Sequence, residues 1–600
     1  MSTPSPYSYS PLNTVGMPIR LLELLPGEGD ALLNCNLVHV FLEDKPAYEA
    51  LSYCWGDTAR LLPIQCGTGR LNITENLQAA LLSLRKENEV RIIWVDALCI
   101  NQDDLLERSQ QVQIMRNIYQ AARKTLVWLG SDSEEMKKGF QLVPYLHRVF
   151  VQAFEGHPHV VRSNPHILAH PSVAELKRQR RLFEYFEAIE QRPYFSRVWI
   201  IQELAMSWEK FDIICGPIKI SWAEYFAARN TFACLRLCQP NPRIPLGSFM
   251  QLAETAINVA LLRYPPLLTL LDKYRSFKST DPRDKVYALL GLGELKDLRM
   301  LGVEVSYQLG VEEVFTRLAM SYLQRDGNFD ILSYVHHGLN PLGLPTWVPD
   351  WAQQEIGSIS FRSEAFFNPS PCPNQAGGPL APSMVISTDR KRLTVDGILV
   401  DKIAKVGCCV SYNKKCNCPE LRPARNFHDW AEIAGIYDTD EYVTGGSAGD
   451  AFIITMTAGH PLTTFATIKE DFIYWYKKIR ISERIKNGES VRGLSARTMR
   501  DPWLNAGTSE TPHQVPSEVM QKSMIYCNDR RFGLTSKKYF ALVPGETVEG
   551  DVISIFKGGK YPFVLRRESL GWSLIGECYI YGMMQGEMFD EEEVEKLMII

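Results

Sequence analysis

Apolar and polar positions in the first third of the chain switch repeatedly between a period of two and a period near 3.6. Tyr48-Glu-Ala-Leu-Ser-Tyr53 reads as a short strand that ends at the turn Trp55-Gly56-Asp57. Asn76–Arg85 reads as a helix with Leu77, Leu81 and Leu84 on one face. Arg91-Ile-Ile-Trp-Val-Asp96 is apolar and β-branched between charges, the pattern of a buried strand. Ser109–Arg123 places Val112, Met115, Ile118, Tyr119 and Ala122 at helical spacing, and Lys124–Gly130 predicts a further strand that stops at a glycine. After an interruption, Arg197–Met206 predicts a helix and Phe211–Cys215 a strand. Strands alternating with helices imply an α/β domain with a parallel sheet over residues 15–225. The stretch 131–192, rich in His and Pro (His157, Pro158, His159, Pro165, His166, His170, Pro171), is read as an insertion into it.

The pattern then changes. Residues 226–352 are mainly helical: Leu252–Leu271 and Val311–Leu323 carry helical apolar spacing, and Asp281-Pro-Arg-Asp-Lys-Val-Tyr-Ala-Leu-Leu-Gly291 begins with turn chemistry and stops at glycine. Residues 353–385 are rich in Pro, Gly and Ser and predict a linker. Residues 386–600 carry short β-like runs (Leu393–Val400, Tyr539–Val543, Asp551–Phe556, Pro562–Leu565, Trp572–Ile575) and predict a small antiparallel β-rich module, although about 405–520 shows no legible pattern. No internal repeat is evident.

Composition narrows the class. Apolar residues make up 45% and charged residues 22%, as in ordinary soluble globular chains, so cores are within reach throughout. A formal net charge of −4 over 600 residues argues against a nucleic-acid-coating protein, which needs a concentrated basic face. Met1–Leu12 lacks the basic start and apolar core of an export signal, no run of about 18 apolar residues suggests a membrane span, and the common lipid-anchor signals are missing. With 14 scattered cysteines, the expectation is a reduced protein in the cytoplasm. Cys408, Cys409, Cys416, Cys418 and His428 follow no standard zinc spacing, and the histidines of 157–170 read as a polar loop, so no metal is expected. No phosphate-binding glycine loop stands between a strand and a helix.

Three blocks carry a family resemblance: Tyr48-Glu-Ala-Leu-Ser-Tyr-Cys-Trp-Gly-Asp57; Ile93-Trp-Val-Asp-Ala-Leu-Cys-Ile-Asn-Gln102, continuing through Glu107, Gln111-Val112, Met115, Ile118-Tyr119 and Val127-Trp-Leu-Gly130; and Arg192-Pro-Tyr-Phe-Ser-Arg-Val-Trp-Ile-Ile-Gln-Glu203. Together they resemble the heterokaryon-incompatibility (HET) family of filamentous fungi, with Tyr194 where that family usually has Trp. Asp281–Leu292 and Leu344-Pro-Thr-Trp-Val-Pro-Asp-Trp351 resemble segments that often follow the domain. The HET pattern is in turn remotely similar to Toll/interleukin-1-receptor (TIR) domains: Tyr48–Arg60 resembles their first strand and charged loop, and Trp199 with Glu203 their Trp and Glu four apart on a helix. The resemblance implies a TIR-like (flavodoxin-like) N-terminal domain and a self/non-self recognition effector that triggers programmed cell death. It also implies self-association, an incompatibility partner protein, and NAD+ hydrolysis with Glu203 as the catalytic residue. The insertion at 131–192 departs from the compact TIR layout.

The chemistry of NAD+ cleavage fits this equipment. Nicotinamide leaves neutral, so no general acid is required, while the ribose develops oxocarbenium character that one carboxylate can stabilise and an aromatic ring can flank. Ligands of open α/β sheets bind outside the carboxyl ends of the strands, which nominates Ser52, Tyr53, Trp55, Gly56 and Asp57 after the first strand and Asp96, Asn101 and Gln102 after the second, with Trp199 beside Glu203. NAD+ is thus a substrate and no cofactor is expected. The competing reading gives these residues structural work: Glu203 pairs with a nearby Arg, Trp199 is core, and Asp96 and Asn101 satisfy loop backbone. Cys99, between Leu98 and Ile100, reads as a structural thiol rather than a nucleophile. A non-enzymatic scaffold that self-assembles on meeting a partner is the alternative function, and no motif supports a nucleic-acid-binding regulator.

Overall fold

The structure, a computed structural model, describes residues 5–154, 180–237, 247–293, 301–353, 374–410, 423–436, 441–459 and 524–600 except 14, 30, 58 and 339, together with 360–361, 469–470 and 472–473. It divides into two compact units, residues 1–298 with 304–309, and residues 299–303 with 310–600.

The first unit is built on nine strands: β1 (Pro18–Leu24), β2 (Asn34–Phe41), β3 (Glu49–Tyr53), β4 (Leu61–Cys66), β5 (Gly69–Thr74), β6 (Arg91–Trp94), β7 (Lys124–Trp128), β8 (Phe211–Cys215) and β9 (Ile218–Ser221). They form one sheet in the order β5-β4-β2-β1-β6-β3-β7-β8-β9. The centre, β6-β3-β7-β8, is parallel. Its strands are covered on both faces, which is why β3, β7 and β8 read as unbroken apolar runs. In chain order this quartet runs 2-1-3-4, so the sheet changes winding direction between β3 and β7, where crevices for ligands form. The flanks are antiparallel, β1 on both β2 and β6, β4 on β5 and β8 on β9, except that β2 and β4 pair in parallel. The expected parallel sheet is therefore a mixed one. β1 escaped notice because Arg20 interrupts its apolar run, yet that side chain is fully buried by its pairing with Glu107.

Helix Glu75–Leu84 starts where Thr74 Oγ1 accepts the Leu77 amide, and it buries Leu77, Leu81 and Leu84. The single helix expected over 109–123 is two, Leu105–Gln113 and Met115–Ala121, split at Ile114 with φ −97° and ψ 3°. The site helix spans Trp199–Met206. Of the stretch 131–192, helices Glu134–Phe154 and Arg180–Glu190 are described, and Phe186 packs 4.7 Å from Phe232 on helix Trp222–Leu237. The histidine-rich residues 157–170 lie outside the described residues. The apolar spacing over 252–271 resolves into Gly247–Ala260 and Leu267–Lys273, separated by Tyr264-Pro265-Pro266, where proline forbids a continuous helix. Helix Asp284–Leu290 also belongs to this unit, so its compact body extends past residue 225.

The second unit carries helix Val311–Asp326 and strands β10 (Met384–Ile386), β11 (Leu393–Val406), β12 (Arg530–Thr535), β13 (Phe540–Pro544), β14 (Val552–Phe556), β15 (Phe563–Arg567), β16 (Trp572–Glu577), β17 (Tyr579–Ile580) and β18 (Glu595–Ile599). Strands β11, β14, β15, β16 and β18 pair in a closed ring, antiparallel except at β16–β18. The ring leaves no open edge among those five strands. The long β11 bends through register shifts at Leu399/Asp401 and Ile403/Lys405 and pairs onward with β12. Ile398, Val400, Ile553, Ile555, Val564 and Ile575 belong to one core. Helices Pro423–Ala434 and Ala448–Met456, in the stretch whose pattern was illegible, supply Trp430 and Phe452 to a second core with Phe532 and Phe540.

Candidate functional site

Strand β3 delivers Ser52 and Tyr53 to the carboxyl edge of the parallel quartet, and the chain then turns through Cys54-Trp55-Gly56. Gly56 has φ +81°, and a Cβ there would stand 3.2 Å from Asn76 Cβ, so the turn needs glycine both for its backbone and for its neighbour. Asn76 ties the edge together. Its Nδ2 donates to the Cys54 carbonyl at 2.5 Å, and its Oδ1 accepts from Trp128 Nε1 at 3.0 Å, so one amide joins the ends of β3 and β7.

Beneath this edge lies a buried polar cluster. Ser52 Oγ donates a short hydrogen bond to Glu203 Oε2 and stands 2.7 Å from the Tyr194 hydroxyl. Arg197, extended just before the site helix, donates to the Tyr53 carbonyl. Trp55 Nε1 donates to Asp96 Oδ2 at 2.8 Å, the Ala97 amide caps Oδ1 at 2.7 Å, and Gln102 Nε2 reaches the Asp96 carbonyl at 2.9 Å. Glu203 is only 2% exposed, and burial pushes its carboxyl up to about 7 against the opposing pull of the Arg197 guanidinium and the Ser52 hydroxyl. Asp96 is raised in the same way by burial, again countered first by Arg197. Arg197 is thus the shared counter-charge of two carboxylates. Although burial opposes it, Glu203 and then Asp96 hold the guanidinium more firmly protonated than usual.

The structure brings Ser52, Tyr53, Trp55, Asp96, Gln102 and Glu203 together. Gly56 and Asp57 stay exposed at the rim, where Asp57 Oδ1 accepts from the Ala59 amide. Asn101 takes part through its backbone: its N–H donates to Glu107 Oε1 at 2.7 Å. Glu107 is in turn gripped by both guanidinium nitrogens of Arg20, at 2.5 and 2.9 Å. Trp199 departs most from expectation. Although four residues from Glu203, its indole N–H donates to Asp284 Oδ2 at 3.0 Å while Glu203 faces Ser52. Cys99 is buried, with its thiol pushed up to about 12 by burial, which makes it inert as a nucleophile at neutral pH.

Sequence reasoning anticipated an arginine near Glu203 without singling out Arg197, and it missed Asn76. Arg197 stood in the third block, six residues before Glu203, and only a search for a cation between two carboxylates would have singled it out. Asn76 carried no signal, because its role comes from the packing of its helix against two strand ends. Among the described residues no group of three or more His, Cys, Asp or Glu could hold a metal. Cys416 and Cys418 lie outside the described residues. A cleft of about 600 Å³ lined by Lys124, His147, Trp208 and Trp222 belongs to the other edge of the sheet, at the start of β7 and β8. Among the described residues no helix is long and apolar enough to cross a membrane.

A buried and a half-buried carboxylate beside one arginine, set at the winding switch of a mixed α/β sheet and followed by a β-barrel unit, define a two-part architecture, and comparison with known proteins matches both parts. Residues 48–203 match the family model for heterokaryon incompatibility protein (HET), and residues 452–600 match that of the Het-6 beta-barrel domain. The chain is a HET-domain protein. It is 25% identical over 678 residues to heterokaryon incompatibility protein 6, OR allele, of Neurospora crassa, across 97% of this chain and 96% of that protein. No solved structure matches. The barrel match begins after β11, the strand that pairs with both β14 and β18 in the ring, so the structural module starts earlier than the matched span.

Proposed function

We propose that this protein is a heterokaryon-incompatibility effector, in which the HET domain cleaves NAD+ in a TIR-like manner and so commits the cell to death after meeting an incompatibility partner. The observation that carries the reading is the Glu203 cluster: a buried and a half-buried carboxylate, Glu203 and Asp96, both feel the positive charge of Arg197 at the carboxyl edge of the sheet. With all three ionised, one negative charge remains, which suits a ribose that gains positive charge as its bond to nicotinamide stretches. In the reaction the C1′–N bond breaks and its electron pair neutralises the pyridinium. Water then adds to C1′ and loses a proton, giving ADP-ribose and nicotinamide. Glu203 stabilises the oxocarbenium ion, Ser52 and Asp96 hold ribose hydroxyls, and Trp55 offers a ring face.

Glu203 is only 2% exposed and holds Ser52, so in this reading the cluster must open before a ribose reaches it. Self-association on meeting a partner, in the cytoplasm, supplies that opening. The same burial favours the alternative, a non-enzymatic scaffold in which Glu203 and Arg197 stabilise the fold. Expression of wild type and Glu203→Gln at equal levels in a fungal host separates the two. The hydrolase reading expects NAD+ depletion and death with wild type only. Death that persists with Glu203→Gln, without NAD+ depletion, would favour the scaffold.

A further inference from the structure

The site helix does not stand on its own. Its N-terminal approach is stitched to a later segment by main-chain bonds: the Val198 amide donates to the Lys278 carbonyl at 2.9 Å and the Lys278 amide to the Ser196 carbonyl at 2.5 Å. One turn on, Gln202 sits with its amide N–H₂ on the Ala288 carbonyl at 2.9 Å and its oxygen on the Arg116 amide at 2.8 Å. Gly291 leaves room for it, since a Cβ there would fall 2.8 Å from the Gln202 carboxamide. Between these contacts Asp284, only 6% exposed, uses both oxygens: Oδ2 accepts from Trp199 Nε1 at 3.0 Å and Oδ1 from the Tyr307 hydroxyl at 2.6 Å.

Tyr307 is itself fixed. Arg108 lies 3.6 Å over its ring, its amide N–H donates to Ser109 Oγ at 3.0 Å, and Arg283, paired to Asp281, donates to the Tyr307 carbonyl at 2.7 Å. Asp284 therefore joins a Tyr307 held by several contacts on one side to the Trp199 indole on the other, at the first turn of the helix that carries Glu203.

We propose that Asp284 is a positioning residue: by holding Trp199 it sets the placement of Arg197 and Glu203 on either side of it, so that the working HET site extends to Leu309 instead of ending with the matched span at Glu203. The claim about activity rests on the hydrolase reading; the claim about Trp199 does not. An Asn at 284 can still accept the indole N–H through its oxygen while its N–H₂ donates to the Tyr307 oxygen, whereas Ala can do neither.

The experiment uses the full chain labelled with 5-fluorotryptophan, as wild type, Asp284→Ala, Asp284→Asn, Tyr307→Phe, Trp199→Phe and Trp199→Phe/Asp284→Ala. Trp199→Phe assigns the Trp199 fluorine signal. That signal is expected to move in Asp284→Ala, to move less in Tyr307→Phe, and to stay near its wild-type position in Asp284→Asn. NAD+ cleavage is expected to fall roughly 10- to 100-fold in Asp284→Ala, as for a displacement of about 1 Å, and to stay within about threefold in Asp284→Asn. Asp284→Ala should add nothing in the Trp199→Phe background. A Trp199 signal unmoved in folded Asp284→Ala and Tyr307→Phe overturns the proposal, as does an Asp284→Ala loss that multiplies with that of Trp199→Phe. If Asp284→Ala does not fold, Tyr307→Phe decides by the same signal. Absence of NAD+ cleavage by wild type sinks the hydrolase reading alone, and the fluorine shifts then decide this one.

Discussion

Replacing Glu107 by Ala tests how the site loop is held. Arg20 is fully buried on β1 and makes two bonds to the Glu107 carboxylate, with the Cys99 carbonyl at 3.2 Å and the Ser10 carbonyl at 2.6 Å taking further guanidinium protons. Glu107 also accepts the Asn101 amide, so the chain just after the helical turn Asp96–Cys99 is anchored to this carboxylate. Removing it leaves a buried guanidinium with two carbonyls and no counter-charge, which costs about 3–5 kcal/mol. At roughly 2–4 °C per kcal/mol for a domain of this scale, the midpoint of the first unit's thermal transition should fall by about 6–20 °C. The double variant Arg20→Met/Glu107→Leu, which removes both charges with similar volume, should recover most of that loss. Scanning calorimetry of the three proteins reads both numbers. A Glu107→Ala midpoint within about 1 °C of wild type would refute the buried-pair argument, and a double variant less stable than Glu107→Ala would refute the claim that the loss comes from an unpaired charge.

Three further outcomes follow from the same geometry. Because burial lifts Glu203 to about 7 from an ordinary value of 4.5, the folded protein holds that proton longer than the unfolded chain, and stability attached to this group declines as pH rises between those values. Glu203→Gln should therefore melt higher than wild type at pH 8, and the gap should close at pH 4, below both values; a constant gap would contradict the assignment. Since the ionised form does the proposed work, NAD+ cleavage should climb through about pH 7, and Arg197→Met, by removing the cation that restrains Glu203, should move that climb to higher pH. In the barrel unit, Arg530 and Glu577 are both buried, paired at 3.1 Å, with Arg530 3.8 Å over the Phe361 ring, so Glu577→Ala should lower that unit's transition by about 3–5 kcal/mol while sparing the first unit's, as calorimetry would resolve.

The parallel centre of the first sheet was readable because strands covered on both faces must be apolar throughout, and β3, β7 and β8 are. Its flanks were not. β1 hides a buried arginine, and the hairpin β4–β5 mixes exposed and buried positions within six-residue strands. The cluster of Ser52, Asp96 and Glu203 could be nominated from three short blocks because each sits at a strand end or on the helix beside them. The fate of Trp199 could not, since periodicity sees the neighbour four residues away and is blind to a carboxylate 85 residues on. Likewise the ring of the second unit is closed by β18, whose Glu595-Lys-Leu-Met-Ile599 has no pattern distinct from the acidic run before it; its pairing with β11 fixes it as a strand.

The most direct test of the central claim is release of nicotinamide by purified wild type and by Glu203→Gln, at protein concentrations where light scattering shows self-association. Stoichiometric nicotinamide and ADP-ribose from wild type, and none from a Glu203→Gln protein that melts cooperatively, is the result predicted here. Intact NAD+ with both assembled proteins, or equal cleavage by both, would contradict it and leave Glu203 and Arg197 as parts of the fold.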